Sequence, residues 1–327
     1  MKTNIAVVVP NWNGKDLIGP CLESLLAQTA RPHVIVVDNG SVDGSVEFIA
    51  NKYPDVELIS LATNTGFAGG VNRGIEKALE DGFEFVALFN NDAVAEPNWL
   101  KRLVEAGRKH PNAGIITGKF MRSDKKHFDS TADGVSVYGL GFPRGRNEVD
   151  NGQYDKSEFV FGATGGASLY RAKMLRKIGL FDEDFFAYFE DNDISFRAQA
   201  AGWKVYYEPK AVAYHEVGGT SSKLGSFARY HSTKNIVLLF DRNMPGVLFW
   251  KYKLLNLLLL GRILFGSIRD RQVGAYIHGL WSAFVLTPKT IKARRRNKRL
   301  RTVSSSTIDS LLLHGRPPRP PKLKETR

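Results

Sequence analysis

Five short apolar runs punctuate the first 120 residues, at 5–9, 33–37, 56–61, 85–89 and 115–116. None alternates strictly with polar residues, so each predicts a strand buried on both faces. Helical spacing recurs between them. Leu17, Cys21, Leu25 and Gln28 fall on one face, Val46 and Ile49 follow Ser45, and Gly69-Gly70 opens a third helix. A fourth helix carries Trp99-Leu100, Leu103 and Val104 behind Pro97, which suits a first helical turn. Strand, loop and helix repeated four times predict βαβ units and a mainly parallel sheet flanked by helices. Pro10 is expected to stop the first strand, because it cannot donate to a ladder.

The polar residues that close these runs carry as much information. The first strand runs into Asn11 and Asn13, the second into Asp38 and Asn39, the third into Asn64, and the fourth into Asn90, Asn91 and Asp92. In an open α/β sheet the carboxyl ends of parallel strands share one edge, and ligands bind there.

Past residue 120 the pattern loosens. Residues 123–157 are polar without a sustained period and predict a long surface excursion near the site. A helix over 172–178 stops at Gly179. Four aromatic residues, Phe185, Phe186, Tyr188 and Phe189, then precede Glu190-Asp191-Asn192-Asp193 at the head of a helix ended by Gly202. Two strand-like pieces follow at 204–207 and 211–215, and a helix at 226–240. Residues 247–268 are strongly apolar, but Asn256 and Arg262 interrupt them. The unbroken aliphatic run is far short of the ~20 residues that span a bilayer. At about 100° per residue Lys251, Arg262 and Arg269 lie within roughly 20° of one another, with Lys253 opposite. Residues 274–286 predict another helix with Trp281 and Phe284. From 289 the chain is basic, then Ser-rich, then Pro-Pro-Arg-Pro-Pro, and disorder is expected.

Composition refines this in two places. The net charge is +13, and residues 289–301 hold eight Lys or Arg and no acid. Such a run suits an anionic partner: phospholipid, nucleic acid or a pyrophosphate-bearing substrate. A merely solvated tail is the plain alternative. The single cysteine, Cys21, excludes an internal disulfide and fits a reducing compartment. Met1-Lys2-Thr3-Asn4 has no apolar h-region, so no signal peptide is expected.

Several residues can carry chemistry. Asp92 at the sheet edge suits a hard divalent cation, which prefers oxygen ligands; the alternative is a turn former. Asp38 can accept from a pyrimidine N3–H or a ribose hydroxyl, or close an Asx turn. Asn64-Thr65-Gly66-Phe67-Ala68-Gly69-Gly70 can bring backbone N–H groups to a phosphate or sugar at a helix N-terminus. It is neither a dinucleotide fingerprint nor a P-loop, which argues against oxidoreductases and ATPases. The acids at 190–193 suit a helix N-terminus, and Asp193 can pair with Arg197 at i+4. The aromatic residues before them suggest more, since an apolar wall raises a carboxylate towards a working general base. His215 ends a strand and becomes a metal ligand if Asp92 is near it in space.

These stretches, in this order, resemble family 2 glycosyltransferases of GT-A fold, and most of all their rhamnosyltransferase-like branch. The likeness rests on Val8-Val9-Pro10-Asn11-Trp12-Asn13-Gly14, Val36-Val37-Asp38-Asn39-Gly40-Ser41, the loop from Asn64 to Gly74, Asn90-Asn91-Asp92, and Tyr188-Phe189-Glu190-Asp191-Asn192-Asp193. It covers about residues 4 to 217. It implies that Pro10, Trp12 and Asp38 hold the nucleobase and that Asn64, Gly69 and Gly70 line the nucleotide and sugar pocket. Asn72, Asn90, Asn91 and Glu190 are carried over as further substrate contacts. It implies that Asp92 and His215 bind a divalent cation, Mg²⁺ or Mn²⁺, and that Asp191 is the catalytic base. Asn90 stands where the metal motif has its first acid, and Val71 stands where an arginine is common.

The implied organisation is a GT-A catalytic domain over 1–240, with a nucleotide-sugar half to about 120 and an acceptor half after it. A helical membrane-associating region follows at 241–288 and the basic tail at 289–327. The implied function is inverting transfer of a rhamnose-like deoxysugar or hexose from a nucleotide-diphosphate sugar to a glycan or glycolipid acceptor. The protein would be peripheral at the cytoplasmic face of an anionic membrane. Two alternatives stand beside it, a nucleotidyltransferase and a nucleic-acid-binding protein using the basic tail, with nucleic acid the less favoured partner. For the apolar helices the alternative to the membrane is packing on the catalytic domain or in a homodimer interface.

Overall fold

A computed structural model of the chain describes residues 4–216 and 225–323. The first half is built as the pattern predicts. β1 (Ile5–Asn11), α1 (Lys15–Leu26), β2 (His33–Asp38), α2 (Ser45–Lys52), β3 (Glu57–Ser60), α3 (Gly66–Glu80) and β4 (Phe85–Phe89) follow in order. β1 pairs in parallel with both β2 and β4, and β2 with β3. Alternate β1 residues enter two cores. Ile5, Val7 and Val9 meet α1 and α2 on one face, and Ala6 and Val8 meet α3 on the other. Burial on both faces explains why these strands are apolar throughout.

Pro10 does not end β1, which continues through Asn11. The Asn11 carbonyl accepts from Asn39 N on the β2 side, so Pro10 faces the β4 side. There the ladder stops at Val8, and the missing N–H breaks no bond.

β5 (Ala93–Ala95) and α4 (Trp99–Lys109) lead into β6 (Ala113–Arg122), far longer than the two-residue strand expected. The expected surface excursion is folded structure. It contains β7 (Phe128–Ser130), β8 (Ala132–Val135) and β9 (Gly141–Arg144), with β10 (Glu158–Val160) directly after it, and it buries Asp129, Ser130, Thr131, Asp133 and Ser136. β11 (Ala167–Arg171) inserts antiparallel between β4 and β6. α5 (Ala172–Ile178) and α6 (Glu190–Ala200) then lead to β12 (Lys204–His215). The two pieces expected in β12 are one strand with a register shift between Glu208 and Val212. The main path runs β10-β12-β6-β11-β4-β1-β2-β3.

The C-terminal third is helical: α7 (Gly225–Asn243), α8 (Gly246–Arg269), α9 (Val273–Val285), α10 (Thr287–Leu300) and α11 (Ser305–Leu311). Two expectations need correction. The boundary at 240 falls inside α7, whose Leu238, Leu239 and Phe240 share a core with Phe185, Phe196 and α8. The tail expected to be disordered is ordered to residue 323. In α10 Thr290, Ala293 and Asn297 are buried, Ile308 of α11 is fully buried, and Leu313 bridges to Ser136. The buried face of α10 is made of small and polar residues, so composition alone could not reveal it.

Candidate active site

The strand ends converge as expected on one cleft of about 580 Å³, lined among others by Pro10, Trp12, Asn64, Asn90, Asn91, Asp92, Glu190, Asp191 and His215. Asp38, Gly69, Gly70 and Asn72 do not line it, a correction to the sequence reading. Asp38 is fully buried, accepting from Asn11 Nδ2 at 2.9 Å and Ser41 N at 2.9 Å. Asn11 Oδ1 in turn accepts from Asn91 Nδ2 at 2.8 Å. This relay ties the ends of β2, β1 and β4 together and holds the turn that carries Asp92. Gly69 packs on Thr65, Gly70 lies against the Asn39 amide, and Asn72 bonds both the N–H and the carbonyl of Phe181. They support the wall from behind.

On one side of the cleft, His215 Nε2 lies 3.1 Å from Asp92 Oδ1, and Nδ1 lies 3.0 Å from Asp129 Oδ2. The imidazole also stacks on Phe120. Burial opposes its charge, but the two carboxylates outweigh it and push His215 up to about 9. Asp129 also pairs with Arg146 at 3.1 Å. The donor set fits a divalent cation. Nδ1–H donated to Asp129 fixes the tautomer and leaves Nε2 free as a ligand beside a carboxylate oxygen.

A second acidic cluster, His33, Glu57 and Asp81, has metal-like spacing, but it lies at the opposite, N-terminal end of β2 and β3. The Lys77 ammonium already sits there, 2.6 Å from Asp81 and 3.4 Å from Glu57.

Elsewhere in the cleft is Asp191, in the first turn of α6. Its Oδ2 accepts from Gly165 N at 3.2 Å, and Asp133 hydrogen-bonds its carboxylate. Burial raises the Asp191 pKa in spite of these bonds. Asp133 is raised well above the usual range, by burial and then by the Asp191 charge. Glu190 is pushed up to about 8 by burial and by Asp191, and its Oε2 has no partner. Asp193 is spent on structure, pairing with Arg197 at 2.7 Å and accepting from Asn243 Nδ2 at 2.7 Å.

The loop before α6 is strained. Phe186, Tyr188 and Phe189 all have positive φ, near 66°, 69° and 67°. Such conformations cost bulky residues of order 1–3 kcal/mol each and persist only where the surroundings enforce them. α7 does so here. The Asn235 amide donates to the carbonyls of Phe185, Ala187 and Tyr188, and Lys234 Nζ donates to Asp184 O. Gly66 opposite, at φ +77°, leaves room for Phe186 that no Cβ would leave.

The profile described as Glycosyl transferase family 2 matches residues 6–179. The chain belongs to that family. This family 2 glycosyltransferase is 30% identical over 250 residues to the N-acetylglucosaminyl-diphospho-decaprenol L-rhamnosyltransferase of Mycobacterium tuberculosis, covering 69% of this chain and 81% of that protein. It is 26% identical to the dTDP-rhamnosyl transferase RfbF of Shigella flexneri, over 74% of this chain and 82% of the other. Among solved structures it resembles the mannosyltransferase PcManGT from Pyrobaculum calidifontis in complex with GDP-Man and Mn²⁺. The TM-score is 0.54 at 16% identity, over 94% of this chain and 86% of that one. At that identity the likeness concerns the fold, which is the GT-A fold expected. Neither the nucleotidyltransferase nor the nucleic-acid alternative gains support.

The sequence reading of this glycosyltransferase passed over Asp129, Asp133 and Arg146, which lie in the stretch taken for surface. Asn39, placed at the strand edge without a role, holds Thr65 N and Gly66 O through its amide.

Proposed function

We propose that this family 2 glycosyltransferase is a metal-dependent inverting enzyme. It would move a rhamnose-like deoxysugar or a hexose from a nucleotide-diphosphate sugar to a hydroxyl of a lipid-linked glycan. The observation that carries this is Asp191, a carboxylate of raised pKa opening into the cleft that also holds the Asp92–His215 pair. The names of the two rhamnosyltransferase relatives support the donor class, and that of the mycobacterial protein supports a polyprenyl-diphosphate-linked acceptor. The donor belongs to the half before about residue 120, with Trp12 at the mouth offering its ring to the base. The acceptor belongs to the half after it.

A divalent cation held by Asp92 and His215 supplies Lewis-acid stabilisation of the diphosphate leaving group. Arg146, beside Asp129 in the same wall, brings positive charge towards those phosphates where Val71 cannot. Asp191 takes the proton of the acceptor hydroxyl. The acceptor oxygen bonds to the anomeric carbon as the bond to the diphosphate oxygen breaks, which inverts the configuration. Asp133 donates to Asp191 and holds the receiving oxygen towards the cleft. No helix among the described residues is long and apolar enough to cross a membrane. The enzyme would reach its acceptor as a peripheral protein at the cytoplasmic face.

Thermal shift with UDP-, dTDP- and GDP-sugars, each with Mn²⁺ and with EDTA, tests this. A ligand at 100 times its Kd adds about 2.7 kcal/mol of stability. A dTDP-sugar with Mn²⁺ is expected to stabilise most. Asp92→Ala abolishes the Mn²⁺-dependent part, and His215→Ala weakens it. Equal donor affinity in EDTA and in Mn²⁺ removes the metal from the reading.

Asp133 gives a sharper test of the base. Protonation of Asp191 shuts the reaction down, so kcat/KM falls as pH drops through its raised pKa. Asp133→Ala withdraws a hydrogen bond from the charged form, which raises that pKa further and moves the acid limb to higher pH. Asp133→Asn keeps a donor and should leave the limb in place. If both variants move it alike, Asp133 is not a hydrogen-bond donor to Asp191.

A further inference from the structure

A cluster of exposed apolar side chains stands outside the cleft. Among the described residues, large hydrophobics more than half exposed concentrate on α8 and α9. They include Trp250 at 78%, Leu254 at 67%, Leu258 at 60%, Phe265 at 73%, Trp281 at 62% and Phe284 at 67%. On α8 they are not scattered. At about 100° per residue every exposed apolar position from Val247 to Ile268 falls within roughly 100° of arc. The buried positions Leu248, Tyr252, Asn256 and Leu260 take the opposite side. The helix thus has two apolar faces, one packed on the protein and one bare. Lys251, Arg262 and Arg269 run along one flank of the bare face. On α9 the exposed Trp281 lies opposite the buried Tyr276, Gly279 and Ala283, with the exposed Phe284 at the flank.

We infer that the outer face of α8 and α9 is a docking surface for an anionic phospholipid bilayer. The charge distribution selects this occupant. Between Gly246 and Leu300 the chain carries twelve Lys or Arg and one acid, Asp270. Basic residues near an anionic surface strengthen binding to it, those already paired with acids (Lys251, Lys253, Arg269 and Lys289) less than the others. A helix with Trp, Phe and Leu on one face and cations at its flank lies in the interface, buried by about 5–10 Å. A second copy of this chain would bring a like-charged rim against its own.

The inference rests on the transferase reading for its purpose. α7 stands between the two sites. Phe227 and Ser232 of α7 line the cleft, while Gly279 of α9 packs against Tyr230 and Thr233. One helix thus separates the docked surface from the loop that carries Asp191, and a lipid-anchored acceptor can meet that base while its chain stays in the bilayer.

Flotation of the full chain tests the surface without any turnover. With vesicles of equal parts phosphatidylglycerol and phosphatidylcholine the protein is expected to float, and with phosphatidylcholine alone, or at high salt, much less. The combined variant Trp250→Ser, Leu254→Ser, Trp281→Ser and Phe284→Ser removes only exposed groups. It should lower the bound fraction by at least about tenfold while keeping its melting temperature and its stabilisation by donor. Variant and parent floating alike would overturn the proposal. So would a parent that stays unbound, whether monomeric or sedimenting as a dimer that the variant dissociates. A protein that floats but binds no nucleotide sugar leaves the surface standing and removes the transferase reading instead.

Discussion

Asp191→Asn is expected to bind donor as the parent does and to turn it over about 10² to 10⁴ times more slowly, the usual worth of a general base. The amide fills the same space and can still meet Gly165 N, so the cleft keeps its shape. What disappears is the proton acceptor, and an acceptor hydroxyl is a poor nucleophile while it keeps its proton. Donor hydrolysis and transfer, measured with a soluble acceptor, should fall while thermal shift by donor is retained. Turnover within roughly threefold of the parent would transfer the base role to another group. Glu190, whose Oε2 is unpartnered in the same cleft, is the next to test.

The second large effect is on stability. Arg242→Ala should destabilise the protein by about 3–5 kcal/mol, because it removes a buried guanidinium from two partly buried acids and leaves Asp182 without it. The Arg242 side chain is 1% exposed and reaches Asp182 at 2.6 Å and Asp184 at 2.8 Å. Lys289→Ala is the control. It removes a 68% exposed ammonium from the same Asp184 and should change stability by less than about 1 kcal/mol. Burial alone would raise Asp184, but Lys289 and Arg242 together hold it below its ordinary 3.8. Its share of the stability is therefore complete above that value and is lost only as pH falls through the depressed one. The deficit of Arg242→Ala, from urea midpoints, should narrow in strong acid. A deficit below about 1 kcal/mol at neutral pH would show that α7 does not anchor the acidic loop.

What was legible follows from where signals are kept. β1, β2 and β4 announce themselves because a strand covered on both faces must be apolar throughout, whereas the edge strand β3 carries Glu57 and Ser60. Asp92, Asp191 and His215 stand out because a charge closes an apolar or aromatic run. Asp129 and Asp133 had no such contrast. Their strands are short, their neighbours are Ser and Thr, and they are buried among polar partners, His215 and Arg146 for Asp129 and Ser130 for Asp133, rather than by apolar cover. Asp38 misled in the opposite sense. A carboxylate at a strand end suggests a ligand, yet Asn11 and Ser41 use both its oxygens. α10 was hidden because seven of its 14 residues are Lys or Arg, around a buried seam of Thr290, Ala293 and Asn297.

The clamp on the Asp191 loop also sets a schedule for making the enzyme. Asp182, Asp184 and Asp193 leave the ribosome before Lys234, Arg242, Asn243 and Lys289, which answer them. Asn297, which braces Asn243 at 2.9 Å, follows Asp191 by about a hundred residues, roughly 5–20 s of synthesis. During that interval the nucleotide half has its complete set of parallel strands, while the loop with three left-handed aromatic or phenolic residues has nothing to hold it. A nascent chain halted there would be able to fold its donor-binding half and unable to form its base, so catalytic competence arrives only with the last helices.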